Sequence, residues 1–124
     1  MSSLGIKITE DGEILRFTFT GPSTYANLVQ AAATVNAETK SRGMWLVLCD
    51  TTAMSAPAGA FEKFEAGAEL ARGADPRVMI AVVAPIEAID YIFENVARNR
   101  GVEVSVFRSE GAALKWLSRK RRDQ

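Results

Sequence analysis

Two short stretches of the chain are apolar on both faces, and the stretches that flank them alternate. Met44-Trp45-Leu46-Val47-Leu48-Cys49 runs without a polar residue and ends in Asp50, while Val78-Met79-Ile80-Ala81-Val82-Val83 lies between Pro76 and Pro85. Short runs of this kind, bounded by turn residues, predict strands covered on both sides. Ile6 to Thr9 alternates, Asp11-Gly12 is a tight-turn dipeptide, and Ile14 to Thr20 alternates again, with Leu15, Phe17 and Phe19 on one side and Arg16, Thr18 and Thr20 on the other. That pattern predicts a hairpin with one wet face, hence a sheet edge. Val102 to Phe107 places Val102, Val104 and Val106 against Glu103 and Ser105, with Phe107 breaking the polar side.

Between these strands the apolar period lengthens. Gly21-Pro22 ends the second strand, Ser23 or Thr24 suits an N-cap, and Tyr25, Leu28, Ala32 and Val35 recur at helical spacing towards Lys40, with Gly43 as the stop. Pro57 suits the start of a second helix, with Phe61, Phe64, Ala68 and Ala71 as its buried stripe and Gly73-Ala74-Asp75-Pro76 as its end. Pro85 opens a third helix carrying Ile86, Ile89, Ile92, Phe93 and Val96, stopped at Gly101. Ser109 caps a fourth, with Ala112, Ala113, Leu114, Trp116 and Leu117.

The order β-β-α-β-α-β-α-β-α predicts an α/β fold: about five strands, mostly parallel, with an antiparallel N-terminal edge strand and four helices. Strands laid down in sequence order with crossovers of one hand collect their helices on one face. The other face of Trp45–Cys49 and Val78–Val83 then needs a cover, and a second copy of the chain could supply it, which motivates a homodimer.

At 124 residues the chain is read as a single domain spanning residues 1–124. The apolar share of 48% and charged share of 24% are those of a globular protein. No apolar run reaches the ~18 residues of a membrane span, and Met1-Ser2-Ser3-Leu4 lacks a signal pattern, so no membrane span and a cytoplasmic location are expected. Fifteen basic and fifteen acidic residues balance, but Arg119, Lys120, Arg121 and Arg122 crowd a basic tail over 119–124 with only Asp123 opposing. Such a tail is read as a fraying helix end that suits the helix dipole, and no nucleic-acid partner is expected.

The absence of histidine removes the commonest general base and metal ligand. With one cysteine besides, a zinc site is not expected, and a Ser-His-Asp or Cys-His mechanism is excluded. Cys49, inside an apolar strand, reads as a small buried hydrophobe. There is no Gly-x-Gly-x-x-Gly run and no Gly-Lys-Ser/Thr, and the acidic pair and lysine of a receiver domain are missing around Thr20–Ser23 and Phe107–Ser109. No catalytic residue, metal or cofactor is assigned.

The polar cluster at a strand's carboxyl end is Asp50, Thr51, Thr52 and Ser55. In open α/β sheets this is where function sits. The cluster reads either as a contact or phosphoacceptor loop near a helix N-terminus, or as side chains that cap loop and helix amides. Phe61, Phe64 and Phe93, with Trp45, either fill the core or line an apolar pocket between sheet and helices. The acidic sets Glu62, Glu65, Glu69 and Glu87, Asp90, Glu94 read as solvated helix faces.

The stretches MWLVLCDTTAMS, VMIAVVAP and IFENVARNRGVEVSVFRSEGAALKWL, in this order of elements, resemble the SpoIIAA-like, STAS-type domains, closest to stand-alone bacterial STAS/SEC14-like proteins. The resemblance runs from about Ile6 to Leu117 and rests on packing and turn features. It implies a non-enzymatic regulatory or protein-interaction module with a protein partner of unknown identity. Antagonists of this fold carry a phosphorylatable serine in an Asp-Ser-Ser-Gly-type motif after the central strand. The matching region here, Met54-Ser55-Ala56-Pro57-Ala58-Gly59, has Ser55 but lacks that motif. Other relatives bind small molecules or lipids, so an apolar-pocket binding domain is the alternative.

Overall fold

A computed structural model describes residues 3–56 and 58–122. Its strands are β1 (Gly5–Asp11), β2 (Ile14–Pro22), β3 (Leu46–Asp50), the two-residue β4 (Met54–Ser55), β5 (Met79–Val83) and β6 (Glu103–Phe107). The helices are α1 (Tyr25–Arg42), α2 (Ala60–Gly73), α3 (Ile92–Asn99) and α4 (Glu110–Arg122). The main sheet runs β1-β2-β3-β5-β6, antiparallel between β1 and β2 and parallel thereafter, with β4 pairing to the end of β2. The short β4 is the one strand the sequence pattern does not announce.

The alternating side chains sort onto two faces. On the inner face, Phe17 registers with Cys49, Cys49 with Val82, and Val82 with Val106. Leu15, Val47, Ile80 and Val104 form the parallel row. Ala31, Ala32 and Val35 of α1, Leu70 of α2 and Ala97 of α3 cover them. Leu15 and Phe17 are wholly buried, each a contribution of about 1.5–3 kcal/mol from burial alone.

The opposite face is not left for a second chain. Leu48, Met79, Ala81 and Val83 pack against Ala113 and Leu117 of α4, which crosses to this side after β6. Phe107, the residue that breaks the alternation of β6, meets Trp116 there at 5.7 Å between ring centroids, and Arg16 of β2 bridges to Glu110 at 2.7 Å. The uncovered face that motivated a homodimer is therefore filled within the chain. The last crossover has no following strand to pair, so its helix is not bound to the face the others share.

Local signals set the helix ends. Thr24 Oγ1 accepts from the Asn27 N–H at 3.2 Å, and Gly43 stops α1 at φ 62°, with its N–H donating to the Thr39 carbonyl. Ser109 Oγ accepts from the Ala112 N–H at the head of α4. Pro57 lies outside the described residues, and α2 begins at Ala60.

Two helical expectations are corrected. The buried residues of α2 are Ala66, Gly67, Ala68 and Leu70, whereas Phe61 is 61% and Phe64 42% exposed. This helix packs on its neighbours as well as on the sheet, and small residues let them approach: a Cβ on Gly67 would lie 2.8 Å from the Phe93 carbonyl oxygen and 3.1 Å from Val96 Cβ. Asn36 of α1 donates to the Leu70 carbonyl at 3.0 Å on the other flank. The third helix does not start at Pro85. Ile86–Ala88 makes a single 3-10 turn, and Tyr91 adopts φ 68°. Asp90 Oδ1 then accepts from the Ile92 N–H, so α3 starts afresh at Ile92. A short acidic side chain competes for backbone amides and breaks a helix the apolar pattern alone would continue.

Candidate functional site

The parallel strands β3 and β5 release two connections at the same end of the sheet. One is the loop after Asp50 that leads through β4 to α2. The other is 84–91, between β5 and α3. Both rise from two-sided apolar strands, because buried strands carry the chain straight to the sheet's carboxyl edge, where an α/β fold opens a crevice.

The polar cluster of the first loop is held by its own backbone. Asp50 Oδ1 accepts from the Thr52 N–H at 2.9 Å and the Thr52 hydroxyl at 2.6 Å. Thr51 turns inwards, its hydroxyl and its N–H both donating to the Val83 carbonyl, at 2.8 and 2.9 Å. Ser55 is exposed, and its carbonyl accepts from the Ser23 N–H, fixing the loop to the end of β2. Ala56 follows at φ 57°, a left-handed conformation uncommon for alanine. The Gly59 N–H at the head of α2 donates to Glu62 Oε1 at 2.9 Å.

Beneath both connections lies a cavity of about 310 Å³ between the inner face and the helices. Its floor is Phe19, Cys49, Ile80, Val82 and Val106, its side α1 through Ala32 and Val35, and its mouth Met54, Ala56 and Ala58 on one loop and Pro85, Ala88 and Ile89 on the other. Phe93 lines it. Phe61 and Phe64 do not: Phe61 stacks on Tyr25 at 5.7 Å on the surface, and Phe64 lies beneath the Arg100 guanidinium. Trp45, ahead of β3, is covered by Arg77 at 4.2 Å.

The sequence pattern missed Glu94. Read as part of a solvated face, it is 2% exposed and lines the cavity. Its Oε2 accepts from the Val106 N–H at 3.2 Å, and Arg98 Nη2 stands 3.8 Å away. The Arg98 guanidinium is otherwise engaged, donating to the Val104 carbonyl at 2.6 Å and the Ser105 hydroxyl at 3.0 Å. Glu94 Oε1 is buried with no hydrogen-bond partner among the described residues. Burial pushes the carboxyl above its usual range, against the opposing pull of the Val106 amide and Arg98. Glu94 and Ala97, at i, i+3 on one face, are the two buried residues of α3, and no local signal in the sequence sets Glu94 apart from its charged neighbours.

The other charged groups of the cavity sit at its rim. Lys63 of α2 donates to Asp90 Oδ2 and to the Ala88 carbonyl, each at 2.7 Å, tying the second connection to α2. Burial pulls Asp90 up, but the Lys63 ammonium and the Ile92 amide outweigh it and hold the carboxyl below its usual range. Glu87 completes the set. The cavity thus carries three carboxyls and one ammonium. Cys49 on the floor has its thiol pushed up to about 12 by burial, which makes it unreactive. Among the described residues no group of three or more His, Cys, Asp or Glu side chains could hold a metal ion, and no helix is long and apolar enough to cross a membrane.

No protein-family model matches the chain, and no curated protein matches it. Solved structures do. An anti-sigma factor antagonist from Mycobacterium paratuberculosis is 15% identical, with 94% of this chain and 95% of that one covered, at a TM-score of 0.64. An uncharacterised DUF3478-family protein with a SpoIIAA-like fold from Shewanella loihica PV-4 is 16% identical over the same shares, at a TM-score of 0.56. The likeness covers nearly the whole chain, which has the SpoIIAA-like fold.

Proposed function

We propose that this chain is a non-enzymatic regulatory module that contacts a protein partner through the loop Asp50–Gly59. The observation that carries this reading is the exposed Ser55, which follows the Asp50–Thr52 turn on a stretch held by Thr51 to Val83 and by Ser55 to Ser23. A fixed, exposed loop on a rigid scaffold suits recognition. Asp50 Oδ1 and the Thr51 hydroxyl are engaged by the loop and the sheet, which supports contact rather than chemistry. A solved protein of the same fold is by its name an antagonist of an anti-sigma factor, which supports a regulatory role in kind without naming the partner.

A phosphate on Ser55 would add about −1.5 to −2 charges to the exposed end of this loop and act as a switch on that contact. Incubation with lysate and ATP, followed by phosphosite mapping, tests the switch: modification at Ser55 is expected, and Thr51, Thr52 and Ser55 all unmodified overturns it. Crosslinked partners of the wild type are compared with those of Asp50→Lys. Partners lost in the variant are expected, and an unchanged profile overturns the loop as contact surface. A second copy of the chain is one partner this reading admits, and sedimentation that gives a monomer at tens of micromolar removes it.

The cavity favours a second reading, compatible with the first: a domain that binds a small, mostly apolar molecule. Its volume lies at the low end of ligand pockets. Met54, Ala56 and Ala58 of the contact loop form part of its mouth, so an occupant would touch the loop from beneath.

A further inference from the structure

We propose that the cavity binds a small hydrophobic amine, its apolar body against Val35, Ile80, Val82 and Phe93 and its ammonium on the unpartnered Oε1 of Glu94. This inference rests on the small-molecule reading above and adds the chemistry of the occupant.

Three observations carry it. The first is space: at roughly 30 Å³ per water-sized group, about 310 Å³ holds a molecule of about ten non-hydrogen atoms. The second is the orphan acceptor. A buried carboxylate oxygen without a donor is unfavourable and rare in native structures. Glu94 Oε1 has no donor among the described residues, on a residue that lines the cavity and whose Oε2 is already occupied by the Val106 N–H; it is itself covered, so a ligand meets it through a small turn of the Glu94 side chain. A ligand with N–H donors satisfies it. The third is sign. Glu87, Asp90 and Glu94 line the cavity against one ammonium, Lys63, with Glu87 and Asp90 exposed at the rim and Lys63 already bound to Asp90 and the Ala88 carbonyl, so the one buried charge site is acidic. Arg98 approaches Glu94 from its own helix but at 3.8 Å, with its donors turned to Val104 and Ser105. A carboxylate or phosphate head would enter a field of its own sign, and a neutral alcohol would leave the charge unmatched.

The test uses three probes with the same chain length, n-octylamine, 1-octanol and octanoate, titrated calorimetrically into the full chain and its Glu94→Gln variant at neutral pH. Octylamine is expected to bind wild type about ten- to a hundredfold more tightly than octanoate, the range of a charge-assisted hydrogen bond. Glu94→Gln keeps an acceptor for Val106; it is expected to lose that advantage while binding octanol within about twofold of wild type. Octylamine is also expected to shift the wild-type Val106 amide resonance, a readout that needs no variant. If none of the three probes binds, the small-molecule reading itself falls. If octanol binds but octylamine does no better, or Glu94→Gln leaves octylamine unchanged, the cavity stands and the role of Glu94 is overturned. Octanoate binding most tightly overturns the inference as well.

Discussion

Replacing Gly67 with alanine probes how α3, the helix that carries Glu94, is seated. In an exposed helix this substitution stabilises by about 1 kcal/mol, because alanine loses less backbone entropy. At Gly67 the new Cβ would lie 2.8 Å from the Phe93 carbonyl oxygen and 3.1 and 3.2 Å from Val96 Cβ and Cγ1. The nearest obstacle is main chain and cannot rotate aside, so α2 and α3 must move apart. Overpacking of this kind destabilises by about 1–3 kcal/mol. The packing loss outweighs the propensity gain, for a net destabilisation of up to about 2 kcal/mol. At ~2.1 cal/mol/K per residue, unfolding 124 residues carries ~260 cal/mol/K, so each kcal/mol moves Tm by about 4 °C. Calorimetric melting should place Gly67→Ala up to about 8 °C below wild type. Gly111→Ala is the control: it also lies in a helix, α4, but nothing stands within 4 Å of its would-be Cβ, so its Tm should rise by up to about 4 °C. If both variants melt higher by the same amount, the close approach of α2 to α3 is wrong, and with it the placement of Glu94.

Leu117 is fully buried on the second face of the sheet. Leu117→Ala should lower stability by about 2–5 kcal/mol in urea melts, and a change under 1 kcal/mol would show that α4 does not cover that face. Cys49, with its thiol pushed up to about 12, is almost wholly un-ionised at neutral pH and should react with a thiol reagent far more slowly in the native protein than in the unfolded chain; equal labelling rates would contradict this. Glu94, whose folded pKa is raised above the 4.5 of the unfolded chain, favours the fold most below that value and loses this contribution as pH rises through its folded pKa. Glu94→Gln should therefore gain on wild type as urea melts move from pH 4 towards neutrality, and a difference that is flat with pH would refute the burial. Asp75 runs the other way: Arg77 donates to both its carboxylate oxygens and holds its pKa at about 2, so what it contributes is present above about 4 and is lost as pH falls through 2.

The strands were legible because burial repeats at their own period. Leu15, Phe17 and Phe19 alternate on β2, and the two-sided apolar runs at β3 and β5 became the centre of the sheet. The caps at Thr24, Gly43 and Ser109 were legible because each is a local bond within a few residues. The misses share one cause, which is that the decisive partner is distant in sequence. Phe61 and Phe64 outweigh Ala66 and Gly67 in any apolar pattern, yet α2 buries the small residues because α1 and α3 must come close. Glu94 sits among Asp90 and Arg98 in what reads as a charged helix face, and only the Val106 amide on β6 shows that it points inwards. The side taken by α4 had no local signal beyond Phe107, the apolar exception on β6 that turned out to meet Trp116. At the site, Asp50, Thr51, Thr52 and Ser55 fall on one loop as their spacing requires, whereas the cavity beneath is built from four separate parts of the chain.

The central claim is that the carboxyl end of this sheet binds, and that the cavity under its loops is where a small molecule enters. Isotope-filtered NOE spectroscopy of labelled protein with unlabelled 1-octanol tests it most directly, since the neutral head leaves the role of Glu94 aside. The account predicts contacts from the octyl chain to the methyl groups of Val35, Met54, Ile80 and Val82. Saturating octanol with no such contacts, or contacts only to Leu46 and Leu117 on the opposite face, would contradict it.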